Sequence, residues 1–263
     1  MMNLEKLCTK VCKVAKETGD FLRKERANFS TSSVEVKGLN NFVSYVDKVA
    51  EKQIVEKLRE LLPEAGFIAE EGTAESNNEK YRWVIDPLDG TTNFIHGLYP
   101  FAVSIALMED KRVVIGVVYE VGLDECFYAW KDSKAYCNSK EIRVSDVKSL
   151  KDSLVATGFP YTNFDKLQRY FNSMEFILRN SHGARRLGSA ATDLAYVACG
   201  RCEAFYEYAL SPWDVAAGAL IVERAGGKVS DFSGGKNYIF GRELVASNAN
   251  IFKEFQEFSA RYF

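Results

Sequence analysis

The stretch Trp83-Val84-Ile85-Asp86-Pro87-Leu88-Asp89-Gly90-Thr91-Thr92 constrains this chain more than any other. Its apolar start reads as a buried strand. Its Gly-Thr-Thr end reads as the start of a helix, so strand and helix meet across two carboxylates. Acids three residues apart, fixed by a proline, suit a hard cation, and oxygen ligands select Mg²⁺, Mn²⁺ or Ca²⁺ over zinc. The backbone after Gly90 can offer N–H groups to a phosphate. Metal-assisted chemistry on a phosphate ester is the expectation. The same residues also fit an Asp-Pro turn that closes a strand, with Gly-Thr-Thr capping a helix.

Further acids occur where they can converge on this spot. Glu70-Glu71 follows the apolar Gly66-Phe67-Ile68-Ala69, and Trp213-Asp214 opens a helical run over 215–222. Blander readings exist for each candidate. Periodicity places Asp47 on the surface of a second helix. Asp214 and Thr91 fit capping positions, and Glu207 fits an exposed strand position.

Composition excludes several classes. Of 263 residues, 47% are hydrophobic and 27% charged, the balance of a globular protein, and a net charge of −2 gives no basic field for nucleic acid. No apolar run approaches the ~20 residues of a membrane span. Residues 1–16 are rich in lysine and lack the apolar core of a signal peptide, so a cytoplasmic location is expected. The six cysteines read as reduced packing residues. Cys199-x-x-Cys202 has no second pair or nearby histidine to complete a zinc site.

Apolar spacing predicts a first helix over 3–26 and a second over 42–62, ended by Pro63. Short strands over 66–69 and 82–85 flank a polar surface loop over 73–80. A hairpin over 101–108 and 112–119 continues into a meander through 126–130 and 135–137. The charged stretch 145–151 divides a first lobe, about 1–147, from a second, about 148–263. In the second, strands and helices alternate over 154–157, 164–178, 184–187, 189–199, 204–208 and 214–225. Such alternation implies a layered α/β architecture.

Taken in order and spacing, these motifs resemble the inositol monophosphatase family over nearly the whole chain. The resemblance runs through Val46-Asp47-Lys48, Glu70-Glu71-Gly72, the stretch from Trp83 to Phe94, and Gly116-Val117-Val118-Tyr119. It continues through Gly188-Ser189-Ala190-Ala191, Asp193-Leu194-Ala195, Glu207, Trp213-Asp214-Val215-Ala216-Ala217-Gly218 and Glu223-Arg224-Ala225-Gly226-Gly227. It implies one domain, an αβαβα five-layered sandwich of the inositol monophosphatase and fructose-1,6-bisphosphatase type, with the site between two lobes. It also implies a lithium-sensitive phosphatase that hydrolyses inositol 1-phosphate with two or three Mg²⁺ per site, Mn²⁺ being possible.

By the same resemblance, Glu70, Asp86 and the Leu88 carbonyl hold a first metal, and Asp86, Asp89 and Asp214 a second. A third, weaker metal leans on Glu70. The Thr91 hydroxyl, paired with Asp47, orients the attacking water. Asp89, Gly90, Thr91, Thr92, Gly188, Ser189, Ala190 and Glu207 contact the substrate, Glu207 through ring hydroxyls. Lys37 sits near the phosphate by a looser match. Asn41 stands where many relatives carry Asp, and Ala69 where many carry Gly, but neither is a metal ligand.

Alternative substrates within the superfamily are other sugar phosphates, fructose 1,6-bisphosphate, 3′-phosphoadenosine 5′-phosphate and histidinol phosphate. Some bacterial relatives act with the transcription machinery, and Arg185-Arg186 resembles their basic pair. A scaffold without catalysis would have lost an acid, and none is missing, so both roles can coexist. A homodimer is expected from the resemblance, with Tyr161, Phe164, Tyr170 and Phe171 as interface aromatics. No membrane and no direct nucleic-acid partner are expected.

Overall fold

Strand alternation decides the layering. The computed structural model describes residues 2–28, 34–38, 41–74, 79–161 and 163–263, the side chains of 34–38 and 41–44 excepted. Its seven-stranded sheet runs β3 (Gly66–Ala69), β4 (Tyr81–Asp89), β5 (Ala102–Glu109), β6 (Arg112–Glu120), β7 (Glu125–Trp130), β8 (Ala135–Cys137), β9 (Lys140–Ile142) in sequence order. β3 and β4 are parallel, and the later neighbours are antiparallel. Successive side chains of a strand point to opposite faces. Trp83, Ile85, Ile105 and Val117 pack with α1 (Leu4–Asn28) and α2 (Tyr45–Leu61). Val84, Ala106, Met108 and Val118 face the other way, onto α5 (Ala190–Ala198) and α6 (Pro212–Arg224).

A five-stranded sheet lies beyond those two helices. Its order is β11 (Gly183–Arg185), β10 (Leu154–Thr157), β12 (Ala204–Tyr208), β14 (Glu243–Ser247), β13 (Lys228–Ser230). The first three are parallel and the last two pair antiparallel. Ala156, Phe205 and Ala246 face α5 and α6. Val155, Tyr206 and Val245 face outward onto α4 (Leu167–Asn180) and α7 (Phe252–Tyr262). The layers are therefore α1/α2, sheet, α5/α6, sheet, α4/α7, an αβαβα sandwich. A hairpin of β1 (Val34–Gly38) and β2 (Asn41–Ser44) precedes α2.

The middle layer explains an unusual sequence. Residues 215–222 of α6 are buried without a break, because a helix held between two sheets is apolar all round. α6 also approaches the first sheet very closely. A Cβ on Gly116 of β6 would stand 2.5 Å from the Ala217 carbonyl oxygen, so strand and helix meet backbone to backbone.

Several expectations are corrected. The second helix starts at Tyr45, and Asn41–Ser44 pairs as a strand, its β-branched and aromatic residues suiting a ladder. β4 does not stop at Ile85 but continues through Asp89, so no Asp-Pro turn closes it. Tyr170 is fully buried and stacks 5.7 Å from Tyr206, which makes it core, whereas Tyr161, Phe164 and Phe171 are exposed. The expected loop over 73–80 lies partly outside the described residues. All six cysteines are free thiols. Among the described residues no helix is long and apolar enough to cross a membrane.

Candidate active site

A cavity of about 370 Å³ opens where β4, β12 and the starts of α5 and α6 converge. The end of β4 is bulged. Asp86 pairs with Ser104 but Asp89 with Ala102, so three steps on β4 match two on β5. In a regular strand residues 86 and 89 would face opposite sides. The extra residue turns both acids into the cavity, and Pro87, with no N–H to give a ladder, is tolerated at such a break. Gly90 follows with φ 96° and caps α3 (Thr91–His96). A Cβ there would stand 3.1 Å from the carbonyl oxygens of Pro100 and Gly188. Asn93 fastens this turn to the second half of the chain, its amide donating to the Pro100 (2.7 Å) and Leu187 (2.8 Å) carbonyls.

The acids crowd one another. Burial, then Asp214, raises Glu70 to about 8, although a hydrogen bond with Asp86 opposes the shift. Asp86, 2% exposed, is pushed well above the carboxylate range by burial and by Glu70, Asp89 and Asp214. Its Oδ1 accepts from the Leu88 N–H at 2.9 Å. Asp89 is raised to about 6 by burial, while Ser189 Oγ (2.6 Å) and the Ala191 N–H (2.7 Å) donate to its Oδ2 and hold it down. Ser189 is the N-cap of α5. Asp214 is raised to about 7 by burial and by Asp89. It is not the N-cap of α6: Ser211 is, and its N–H donates to Asp214 Oδ2 at 2.6 Å.

Glu70, Asp86, Leu88, Asp89, Gly90, Thr91, Thr92, Gly188, Ser189, Ala190, Glu207 and Asp214 all line the cavity. Asp47 stands behind them, 1% exposed and 3.2 Å from Thr91 Oγ1, which overturns its reading as a surface residue. The Leu88 carbonyl, 3.0 Å from Thr91 Oγ1, shares the same single hydroxyl proton with Asp47. Glu207 is 9% exposed, so it is not an exposed strand residue. The Lys37 and Asn41 side chains lie outside the described residues.

Among the described residues, no three Asp, Glu, His or Cys side chains close into a group able to grip a metal ion as they stand. Each of the four acids has an oxygen engaged by a neighbouring donor or acid. The donor set nonetheless fits a hard divalent ion: it is all oxygen, and its mutual repulsion shows negative charge without a counterweight.

The sequence profile of the inositol monophosphatase family matches residues 3–261. The chain belongs to the inositol monophosphatase family. Within this phosphatase family it is similar to Nus factor SuhB of Pseudomonas aeruginosa, 42% identical over 92% of this chain and 91% of that one. It is 39% identical to inositol-1-monophosphatase of Mesorhizobium japonicum over 90% of each chain. The extragenic suppressor protein SuhB of Bartonella henselae superposes with a TM-score of 0.90 at 37% identity, covering 95% of this chain and 97% of that one.

The family cavity contains residues that motif reading gave no role. Asp193, on the first turn of α5, is 1% exposed, and burial, then Glu207 and Asp89, drives its acid well upward. Its spacing of four from Ser189 is the only sequence signal that it shares Ser189's face. Arg186 lines the cavity too, held over Phe159 and Tyr161. Arg242 closes the α6 side and lowers Asp214. Arg186 belongs to the basic pair singled out in the sequence, but no local signal places it or Arg242 in the cavity, because distant loops bring them in.

Proposed function

We propose that this chain is a Mg²⁺-dependent phosphomonoesterase of polyol monophosphates, with inositol 1-phosphate as its first candidate substrate. One observation carries the reading. Glu70, Asp86, Asp89 and Asp214, from three separate parts of the fold, converge on one cavity and repel one another there. These four acids and the Leu88 carbonyl would hold two or three Mg²⁺, or Mn²⁺. When bound, such ions polarise the phosphoryl group, lower the pKa of water and offset charge on the leaving alkoxide.

The chain's own groups do the rest. The first N–H groups of α3, at Gly90, Thr91 and Thr92, have no intrahelical partner and can meet phosphate oxygens. The Thr91 hydroxyl accepts a hydrogen bond from the attacking water, and Asp47 behind it takes up the hydroxyl's proton. Ser189 and the Ala191 N–H keep Asp89 turned toward the substrate. Glu207 receives ring hydroxyls, and Gly188 and Ala190 wall the pocket. A phosphate-release screen over sugar and polyol phosphates tests the reading. Turnover should need Mg²⁺ or Mn²⁺ and vanish in chelator; full turnover after verified metal removal would overturn it.

A homodimer is part of the proposal. Phe159, Tyr161, Phe164, Phe171 and Leu178 leave large apolar side chains exposed on and before α4. Aromatic residues are enriched in interface cores. Light scattering should give about twice the 29.6 kDa chain mass; a micromolar monomer would reject it. Relatives named Nus factor support a second role alongside catalysis, in which this chain binds transcription components. Failure of purified elongation components to bind it at micromolar concentration would remove that role.

A further inference from the structure

Beyond the four crowded acids, the cavity holds polar groups that the hydrolysis does not use. Asp193 lines it, nearly fully buried, and its Oδ1 has no hydrogen-bond partner. Glu207 lies beside it. Gly158 carries no side chain at the place where the Glu207 carboxyl rests, and a Cβ there would overlap that carboxyl. Arg186 lines the same cavity as both acids, and its charge favours their ionised forms. Yet none of the described ion pairs includes Arg186, Asp193 or Glu207.

Arg186 is held in place from behind. Its guanidinium lies 5.6 Å from the Phe159 ring and 5.4 Å from the Tyr161 ring, and it donates to the Tyr161 hydroxyl. Its Nε is buried without a partner. A guanidinium can only donate and a carboxylate can only accept. A ligand that joins them must accept from one and donate to the other, which a hydroxyl does. A second phosphate would meet one cation and the acids Asp89, Asp193 and Glu207.

We propose that Asp193 and Arg186 extend the hydroxyl contact of Glu207 into a wall that favours a neutral polyol on the ester and disfavours a second phosphate. Asp193 and Arg186 are thereby specificity-determining residues. The inference rests on the phosphoester reading above for the placement of the phosphate end.

The test compares myo-inositol 1-phosphate, phenyl phosphate and fructose 1,6-bisphosphate by titration calorimetry and by initial rates. Phenyl phosphate presents the same phosphate with no hydroxyls. The wild type should favour the inositol ester over phenyl phosphate by about 10- to 100-fold, the worth of one or two hydrogen bonds to charged groups. The wild type should also bind the bisphosphate more weakly than the inositol monoester, and Asp193→Asn and Arg186→Gln should each cut the preference for the inositol ester over phenyl phosphate at least about fivefold. If Asp193→Asn fails to fold, Arg186→Gln at the cavity rim carries the test. Equal affinity of the wild type for the two monoesters, or a preference that survives substitution, would overturn the wall. A binding preference lost in the variants, in a chain that hydrolyses neither ester, would sustain the wall and remove the phosphatase reading. Absence of binding to every ester would remove both.

Discussion

On the β4 side of the cavity acids touch acids, whereas on the β12 side they touch no charged partner. Glu70 and Asp86 share a hydrogen bond that needs a proton where a cation would otherwise stand. Across the cavity, Asp193 and Glu207 are also buried and belong to none of the described ion pairs, Asp193 Oδ1 has no hydrogen-bond partner, and Arg186 lines the same wall. The contrast separates two kinds of deficit. One side lacks positive charge, and the other lacks hydrogen-bonding hydroxyls.

The largest effect should come from removing charge on the β4 side. Asp86→Asn and Asp214→Asn are expected to lower kcat at least about a hundredfold. Metal-free melting should hold steady or rise, since each change relieves repulsion. Near-normal kcat in either variant would break the assignment of that acid. Thr91→Ala comes next: kcat should fall roughly tenfold or more with little change in KM, because the hydroxyl positions water and does not bind the ester. A raised KM alone would move Thr91 to a binding role.

The β12 side should behave in the opposite sense. Glu207→Gln is expected to raise KM for a polyol ester about tenfold and to change kcat less. A loss confined to kcat would erase the difference between the two sides. The smallest effect is on stability. Glu70, Asp214 and Asp89 are raised to about 8, 7 and 6 in the fold, above their ordinary values. The fold therefore binds more protons than the unfolded chain between roughly pH 4 and 8, and stability falls as pH rises through that window. Metal-free melting should drop by at least about 5 °C from pH 5 to pH 8, and Mg²⁺ should flatten the slope. A melting point that climbs with pH would show that the acids do not crowd.

The β4 side was the more legible one because its chemistry is dense in the chain. Asp86, Asp89, Gly90 and Thr91 fall within six positions, and their order alone suggests cations and phosphate. Asp47 shows the limit of periodicity. It occupies a plausible outer position of α2, but burial is decided by what packs over it, here Thr91. A layered α/β fold could be read from the alternation of strands and helices, and its five-layer order only from the family resemblance, yet β13, β14 and α7 were missed, their apolar runs being short and bounded by polar turns. The bulge in β4 was also missed, since a proline between two acids looks like a turn until its partner strand is known. Arg186 and Asp193 depend on how α5 meets β12, which no single window of sequence contains.

Gly116 lies in a strand that supplies no acid to the cavity, yet it governs where one of them stands. α6 rests on the strand at Ala217, three residues beyond Asp214, with room for no side chain between. The absent methyl works as a gauge that sets how far one half of the site sits from the other. A shim at that seat would carry Asp214 away from Asp86 and Asp89 while leaving every acid intact. The reach of the site can thus be retuned from a position with no polar side chain, by thickness within the sandwich and not by chemistry at its edge.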